Sequence, residues 1–142
     1  MNAYYRQPAI YKDQVVFIAE DDLWTFNLKD KVARRLTANL GMIRYPQFSP
    51  DGKQIAFTST EEGTSEVYII PSEGGEVTRL TYLGAYLFTL GWKGNKIIFA
   101  SSHTSALLGY YKLFEIDSEG GSPVELPYGR ANDISFGAKG VV

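Results

Sequence analysis

The sequence predicts an all-β fold of β-propeller blades: about three four-stranded antiparallel units and the start of a fourth, part of a larger propeller. Three observations predict it. One order of strands and turns occurs three times along the chain. Aromatic and leucine anchors return at near-constant intervals. Turn-forming residues stand where each hairpin needs them.

The second unit, about 45–81, shows the order most plainly. Tyr45-Pro46-Gln47-Phe48 leads through Ser49-Pro50-Asp51-Gly52 into Gln54-Ile55-Ala56-Phe57. Glu66-Val67-Tyr68-Ile69-Ile70 follows, then the turn Glu73-Gly74-Gly75 and Val77-Thr78-Arg79-Leu80-Thr81. The first unit, about 6–37, runs through Ala9-Ile10-Tyr11, Gln14-Val15-Val16-Phe17, Asp22-Leu23-Trp24-Thr25-Phe26 and Ala33-Arg34-Arg35-Leu36-Thr37. The third, about 87–127, runs through Leu90-Gly91-Trp92, Lys96-Ile97-Ile98-Phe99, Lys112-Leu113-Phe114-Glu115-Ile116, Glu119-Gly120-Gly121 and Val124-Glu125-Leu126-Pro127. An incomplete fourth opens at about 131, with Asp133-Ile134-Ser135-Phe136, and stops at Val142 inside a hairpin.

Phe17, Phe57 and Phe99 are 40 and 42 residues apart, and Trp24, Tyr68 and Phe114 are 44 and 46 apart. A period near this length, with four short strands in each, is the spacing of propeller blades. The turns supply a mechanism: Pro fixes φ, Asp bonds its own backbone, and Gly takes positive φ. A β-sandwich also has short strands at regular spacing. Its strands need not repeat one another in order, turns included, as these do. No long stretch holds a 3.6-residue apolar period, so few helices are expected.

Composition excludes several classes. Of 142 residues 44% are hydrophobic, which allows a packed core, and ten Tyr and eight Phe suit pleated surfaces. Net charge is −2 and the basic residues are scattered, so no nucleic-acid footprint is present. Without cysteine there is no disulfide, thiolate metal site or cysteine nucleophile. No apolar run approaches the roughly 18 residues that cross a bilayer, and residues 1–8 lack a secretory layout. With Met1 as the start, the expected location is the cytoplasm.

His103 is the only histidine. Ser101, Ser102 and Ser105 are neighbours in sequence, but a triad is spatial and the Gly-x-Ser-x-Gly elbow is missing. No catalytic, metal or cofactor residue is therefore assigned, and His103 is expected in a loop between second and third strands. Asp21-Asp22 and Glu61-Glu62 fall at the ends of second strands, where solvated loop charge is expected; bonding of Asp22 to loop backbone across blades is the alternative. The equivalent aromatics Phe17, Trp24, Phe48, Phe57, Tyr68, Trp92, Phe99, Phe114 and Phe136 are read as packing between blades. Tyr4, Tyr5, Tyr86, Tyr110 and Tyr111 are left freer to serve a surface.

Three stretches carry a family likeness. Asp21-Asp22-Leu23-Trp24, Phe48-Ser49-Pro50-Asp51-Gly52-Lys53 and Gly75-Glu76-Val77-Thr78-Arg79-Leu80-Thr81-Tyr82 resemble the N-terminal six-bladed propeller of the archaeal tricorn protease. The Ser-Pro-Asp-Gly turn alone is shared with TolB-like and dipeptidyl-peptidase propellers. The resemblance implies the first three blades, half of a six-bladed ring. It also implies a parent serine peptidase that degrades peptides downstream of the proteasome and assembles as a homo-oligomer. The propeller is then a non-catalytic channel or gate, with none of the catalytic positions in this chain. The family's basic pair for a peptide carboxylate is not matched: Leu83-Gly84-Ala85-Tyr86-Leu87-Phe88-Thr89 holds neither Arg nor Lys. A TolB-like scaffold for protein–protein interaction is the alternative.

In a propeller the second-to-third-strand loops and the blade junctions open on one face. Here they hold Arg44, Tyr45, Tyr86, His103 and Arg130. Arg44, Arg130 and Tyr86 are the expected peptide-binding residues, with other domains of the parent as further partners. Blades bury their faces on neighbours, so the chain is expected to self-associate. Its open ends are expected near Ile10, Val16 and Trp24, and near Leu113, Ile134 and Phe136.

Overall fold

The computed structural model describes residues 4–106, 109–137 and 140–141. Val142, the expected end of the fourth unit, lies outside the described residues, as does the side chain of Phe136. The first sheet contains β1 (Arg6–Tyr11), β2 (Gln14–Ala19), β3 (Asp22–Asn27) and β4 (Val32–Arg35). The second contains β5 (Arg44–Phe48), β6 (Gln54–Ser59), β7 (Glu66–Pro71) and β8 (Thr78–Arg79). The third contains β9 (Leu87–Lys93), β10 (Lys96–Ser101), β11 (Lys112–Asp117) and β12 (Val124–Arg130). Each is an antiparallel meander in chain order, and β13 (Phe136–Gly137) pairs with β14 (Gly140–Val141). There is no helix among the described residues.

The repeated aromatics are cross-strand partners in one register. Phe17 faces Trp24, Phe57 faces Tyr68 and Phe99 faces Phe114. Strand alternation turns neighbouring residues to opposite sides, and the middle sheet uses both. Ile55, Phe57, Tyr68 and Ile70 pack on Val16, Ile18 and Leu23 of the first sheet. Ala56, Val67 and Ile69 pack on Trp92, Ile97, Phe99, Phe114 and Ile116 of the third. Phe57 and Phe99 are wholly buried, each worth about 1.5–3 kcal/mol by transfer from water.

The first strands lie side by side, β5 packing against both β1 and β9. Polar bonds join them. Tyr45 N–H donates to Gln7 Oε1 at 2.8 Å, and Trp92 Nε1 donates to the Gln47 carbonyl at 3.0 Å. A further bond ties β9 to the second strand of the middle sheet: Thr89 N–H donates to Thr58 Oγ1 of β6 at 3.0 Å, in the buried interior.

The same alternation corrects one of the expected open ends: Val16 faces the second sheet and is fully buried. Leu113, next to Phe114 and paired with Ala100, lies on the side of the third sheet turned away from the second, as expected, yet is only 1% exposed. Phe17 and Trp24 lie on the opposite side from Val16 and are half-buried, while Ile10 is exposed.

Asp22 corrects another expectation. It is the first residue of β3 and is buried, whereas Asp21 stays exposed in the turn and pairs with Arg6. Asp22 accepts hydrogen bonds from Arg35 and from Thr37 Oγ1 at 3.0 Å, all within one blade rather than across blades. Thr37 Oγ1 in turn accepts from Leu23 N–H at 2.9 Å, and Arg35 Nε donates to the Thr37 carbonyl at 2.9 Å. The second blade repeats this clasp with a fully buried Glu66, which accepts from Thr81 Oγ1 at 2.5 Å and pairs with Arg79 at 3.4 Å. Val67 N–H and the Thr81 carbonyl complete it. Arg and Thr follow the acid by 13 and 15 residues in both blades. In the third blade the charges exchange places: Lys112 Nζ bonds Glu125 at 2.8 Å, and Pro127 stands where Thr would be.

The Ser49–Gly52 turn shows why its residues are there. Gly52 N–H donates to the Ser49 carbonyl at 2.9 Å, and Ser49 Oγ–H to Asp51 Oδ1 at 2.6 Å. That bond, with another from Lys53 N–H, holds the Asp51 carboxyl below its ordinary pKa. Gly52 has φ +72, and a Cβ there meets the Tyr11 ring at 2.1 Å.

Two sets of substitutions test these features by urea unfolding. Gly94, at φ +61, has nothing within 4 Å of an added Cβ, so Gly94→Ala is expected to cost about 1 kcal/mol, the left-handed conformation alone. Gly52→Ala is expected to add about 1–3 kcal/mol for displacing Tyr11; equal losses refute the packing role. Thr81→Val leaves both Glu66 and the Val67 N–H short of a partner and is expected to cost about 1–3 kcal/mol for each buried group. Lys112→Ala, at a more exposed pair, is expected to change stability by about 1 kcal/mol or less.

Candidate functional site

The turns between second and third strands and the junctions between blades lie on one face, and two grooves meet there. One, of about 490 Å³, is lined by Thr64, Ser65, Ser102, His103 and Ser105, with Leu83–Tyr86 along one side. The other, of about 400 Å³, is lined by Met42, Arg44, Tyr45, Leu87, Phe88 and Tyr111. Thr60, Ser65 and Tyr86 belong to both, so the two form one trough with a hydroxyl-rich half and an aromatic half.

Of the expected site residues, Arg44 and Tyr86 are brought together in the aromatic half. Arg130 is not. It ends β12 and lies over the Tyr110 ring at 4.1 Å, in a separate pocket of about 160 Å³ with Gly109, Tyr111 and Asn132. Tyr111 lines both that pocket and the aromatic half.

The local fold positions the trough. Gly84 N–H donates to Glu66 Oε1 at 2.9 Å, so the second blade's clasp also holds the loop that carries Tyr86. Met42 N–H donates to Thr60 Oγ1 at 3.0 Å, and Ser59 Oγ–H donates to the Leu40 carbonyl. These bonds fix the junction that delivers Met42 and Arg44. Gly41, at φ +66, approaches the Thr60–Glu61 backbone so closely that a Cβ would lie 2.9 Å from it.

His103 occupies the loop between β10 and β11, half-buried, with its ring centroid 4.4 Å from that of Phe114. Its Nδ1 is 3.0 Å from Ser101 Oγ. Ser101 is wholly buried and also accepts from His103 N–H, so the pair orders the loop and does not present a nucleophile. Burial holds the imidazole below its ordinary pKa of 6.5, against the opposing pull of Glu125 and Glu66.

Sequence reasoning missed how the rings are arranged. Phe88 and Tyr111 join Tyr45 in a connected row, and Met42 carries the Arg44 guanidinium. One signal for this wall is present in the chain: Arg6-Gln7-Pro8 and Arg44-Tyr45-Pro46 repeat Arg-x-Pro, with the middle residue at φ +49 and +54. Such conformations are uncommon outside glycine and mark places worth attention. Both lie where the first strand of a blade bulges.

Successive meander sheets packed face to face, with first strands side by side and a grooved loop face, define a portion of a β-propeller. The match to the Tricorn protease N-terminal beta propeller domain covers residues 2–142, and the chain belongs to that family. It is 35% identical over 137 residues to Tricorn protease homolog 1 of Streptomyces coelicolor, covering 95% of this chain and 13% of that protein. With the Tricorn protease of Thermoplasma acidophilum it shares 33% over 144 residues, 91% of this chain and 13% of that one. A solved structure of the tricorn protease superposes with a TM-score of 0.87 at 27% identity, over 97% of this chain and 15% of that one. TolB from Acinetobacter baumannii gives a TM-score of 0.76 at 20% identity, over 97% of this chain and 36% of that one, a likeness of fold. The chain thus spans about an eighth of the length of the tricorn relatives above.

The lone histidine makes one pH test direct. With its folded pKa lowered, the unfolded chain binds the proton more readily. Stability is therefore fully present above pH 6.5 and declines as pH falls from there toward the folded value. The single imidazole Cε1–H resonance is expected to titrate with a midpoint below 6.5; a midpoint above it refutes the buried, neutral ring.

Proposed function

We propose that this chain is a non-catalytic propeller portion of a tricorn-like serine peptidase that degrades peptides downstream of the proteasome, acting as a substrate or product channel or gate. The observation that carries the reading is the trough, in which Arg44 and Tyr86 share a wall on the loop face of a tricorn-family propeller. Arg44 has no carboxylate partner among the described residues, and charge-assisted bonds to a carboxylate are the strong ones available. Arg130, in the adjoining pocket, adds positive potential. In this reading residues 1–142 are a partial propeller domain whose partners are peptides and the parent's other domains. The parent is a cytoplasmic homo-oligomer, and no cofactor is involved.

Self-association of the chain is part of the same reading. Phe17 and Trp24 form a half-buried apolar face, of the kind blades cover with a neighbour. A scaffold for protein–protein interaction is the second reading; the TolB likeness supports it through the fold alone.

Binding of labelled, unstructured peptides to the full chain, followed by fluorescence anisotropy, tests the proposal. The Arg44→Ala, Arg130→Ala double variant is expected to bind about tenfold more weakly, the scale of one lost charged hydrogen bond. Unchanged affinity removes these arginines from the site, and absence of any peptide binding overturns the channel reading. Fluorogenic peptides are expected to be cleaved only at background rate. Turnover abolished by His103→Ala overturns the non-catalytic assignment.

A further inference from the structure

Three half-buried rings form a connected row along the aromatic half of the trough. Tyr45 and Phe88 have centroids 5.5 Å apart, and Phe88 and Tyr111 5.2 Å, the latter pair edge to face. They come from β5, β9 and the residue just before β11, so the row crosses from the second blade to the third. Tilted and edge-on rings leave faces and edges on which a further ring packs favourably. Tyr45 is held in this row at φ +54, its N–H bonded to Gln7 of the first blade. A non-glycine residue kept in that conformation by its surroundings is a feature that clusters at binding sites.

Arg44 stands beside the row with an unusual partner. Its Nε and Nη2 are 3.1 and 2.9 Å from Met42 Sδ, a weak acceptor. Those two N–H groups form the fork that matches the two oxygens of a carboxylate. A carboxylate arriving here replaces a thioether contact with two charge-assisted bonds.

We infer that the trough selects extended peptides carrying an aromatic residue and, two positions away, an acidic side chain. The inference rests on the peptide-conducting reading above and adds a preference to it. In an extended chain residues i and i+2 point to the same side. The aromatic side chain then enters the Tyr45–Phe88–Tyr111 row while the acid meets Arg44. Thr60 and Ser65, shared with the hydroxyl-rich half, bond the peptide backbone.

The test uses the full chain and a labelled probe, acetyl-Gly-Ser-Phe-Gly-Asp-Ser-Gly-amide, read by fluorescence anisotropy. Replacing either the probe's Phe by Ala or its Asp by Asn is expected to weaken binding about tenfold, the scale of one anchor. In Arg44→Gln the Asp and Asn probes are expected to bind alike, and in Phe88→Leu the advantage of Phe over Ala is expected to shrink. The probe substitutions leave the protein untouched, so the test stands even if a variant fails to fold. If all these probes bind equally, the selectivity is wrong while peptide conduction stands. If a peptide ending in Phe with a free carboxylate binds as well as the Asp probe, the internal acid is wrong. If no peptide binds, both readings fall together.

Discussion

The middle sheet must bury both of its faces, and most of the molecule follows from that constraint. Ile55, Phe57, Tyr68 and Ile70 go to one side and Ala56, Val67 and Ile69 to the other. A sheet apolar on both sides has no stable free surface, so each blade needs a neighbour. Strands stay short, and polarity moves to the turns and to the last strands, where β4 is wholly exposed. The chain's chemistry-bearing side chains are thereby pushed to the loop faces, which is where the trough lies.

Packing alone does not determine how the chain passes from one blade to the next. The acid–Arg–Thr clasp does this in the first two blades by tying the start of the third strand to the last residue of the fourth and to the Thr just beyond it. Burying a carboxylate is costly unless it is fully bonded, and Glu66 meets the condition with partners from Thr81, Gly84 and Arg79. The bond to Gly84 has a consequence at the site, because the same loop presents Tyr86. Structural order and site geometry are therefore coupled through one buried carboxylate. The third blade keeps an ion pair at the same spacing with its signs exchanged, but its acid, Glu125, is 41% exposed where Asp22 and Glu66 are buried. That pair helps to hold the edge and adds little stability.

The trough brings together groups of three kinds. Its hydroxyl-rich half offers donors and acceptors without net charge, its other half offers rings, and one guanidinium rests on sulfur. Arg6, at the equivalent place in the first blade, is instead neutralised by Asp21 at 2.5 Å. The contrast between two arginines in the same Arg-x-Pro setting separates a paired structural charge from one left available.

The blade repeat, its turns and its aromatic anchors were legible in the chain because they are local. Periodicity of two, which recurs in every unit, and Pro-Asp-Gly chemistry each act over a few residues, and in the structure they appear as matched registers such as Phe57 opposite Tyr68 and Phe99 opposite Phe114. The clasp was half legible: the spacings of 13 and 15 are written in the sequence, yet Asp22 reads as solvated charge until its burial and its bonds to Arg35 and Thr37 are seen. Which side of a strand Val16 and Phe17 each face was decided by the neighbouring sheet, since alternation alone does not say which side is covered. The assembly of Tyr45, Phe88 and Tyr111 into one wall, and the separation of Arg130 from Arg44, depend on how strands far apart in sequence, within the third sheet and between it and the second, are set beside each other. Sequence determined the elements because their causes are short-range; tertiary structure decided how the candidate site is assembled because its wall joins strands that lie far apart along the chain.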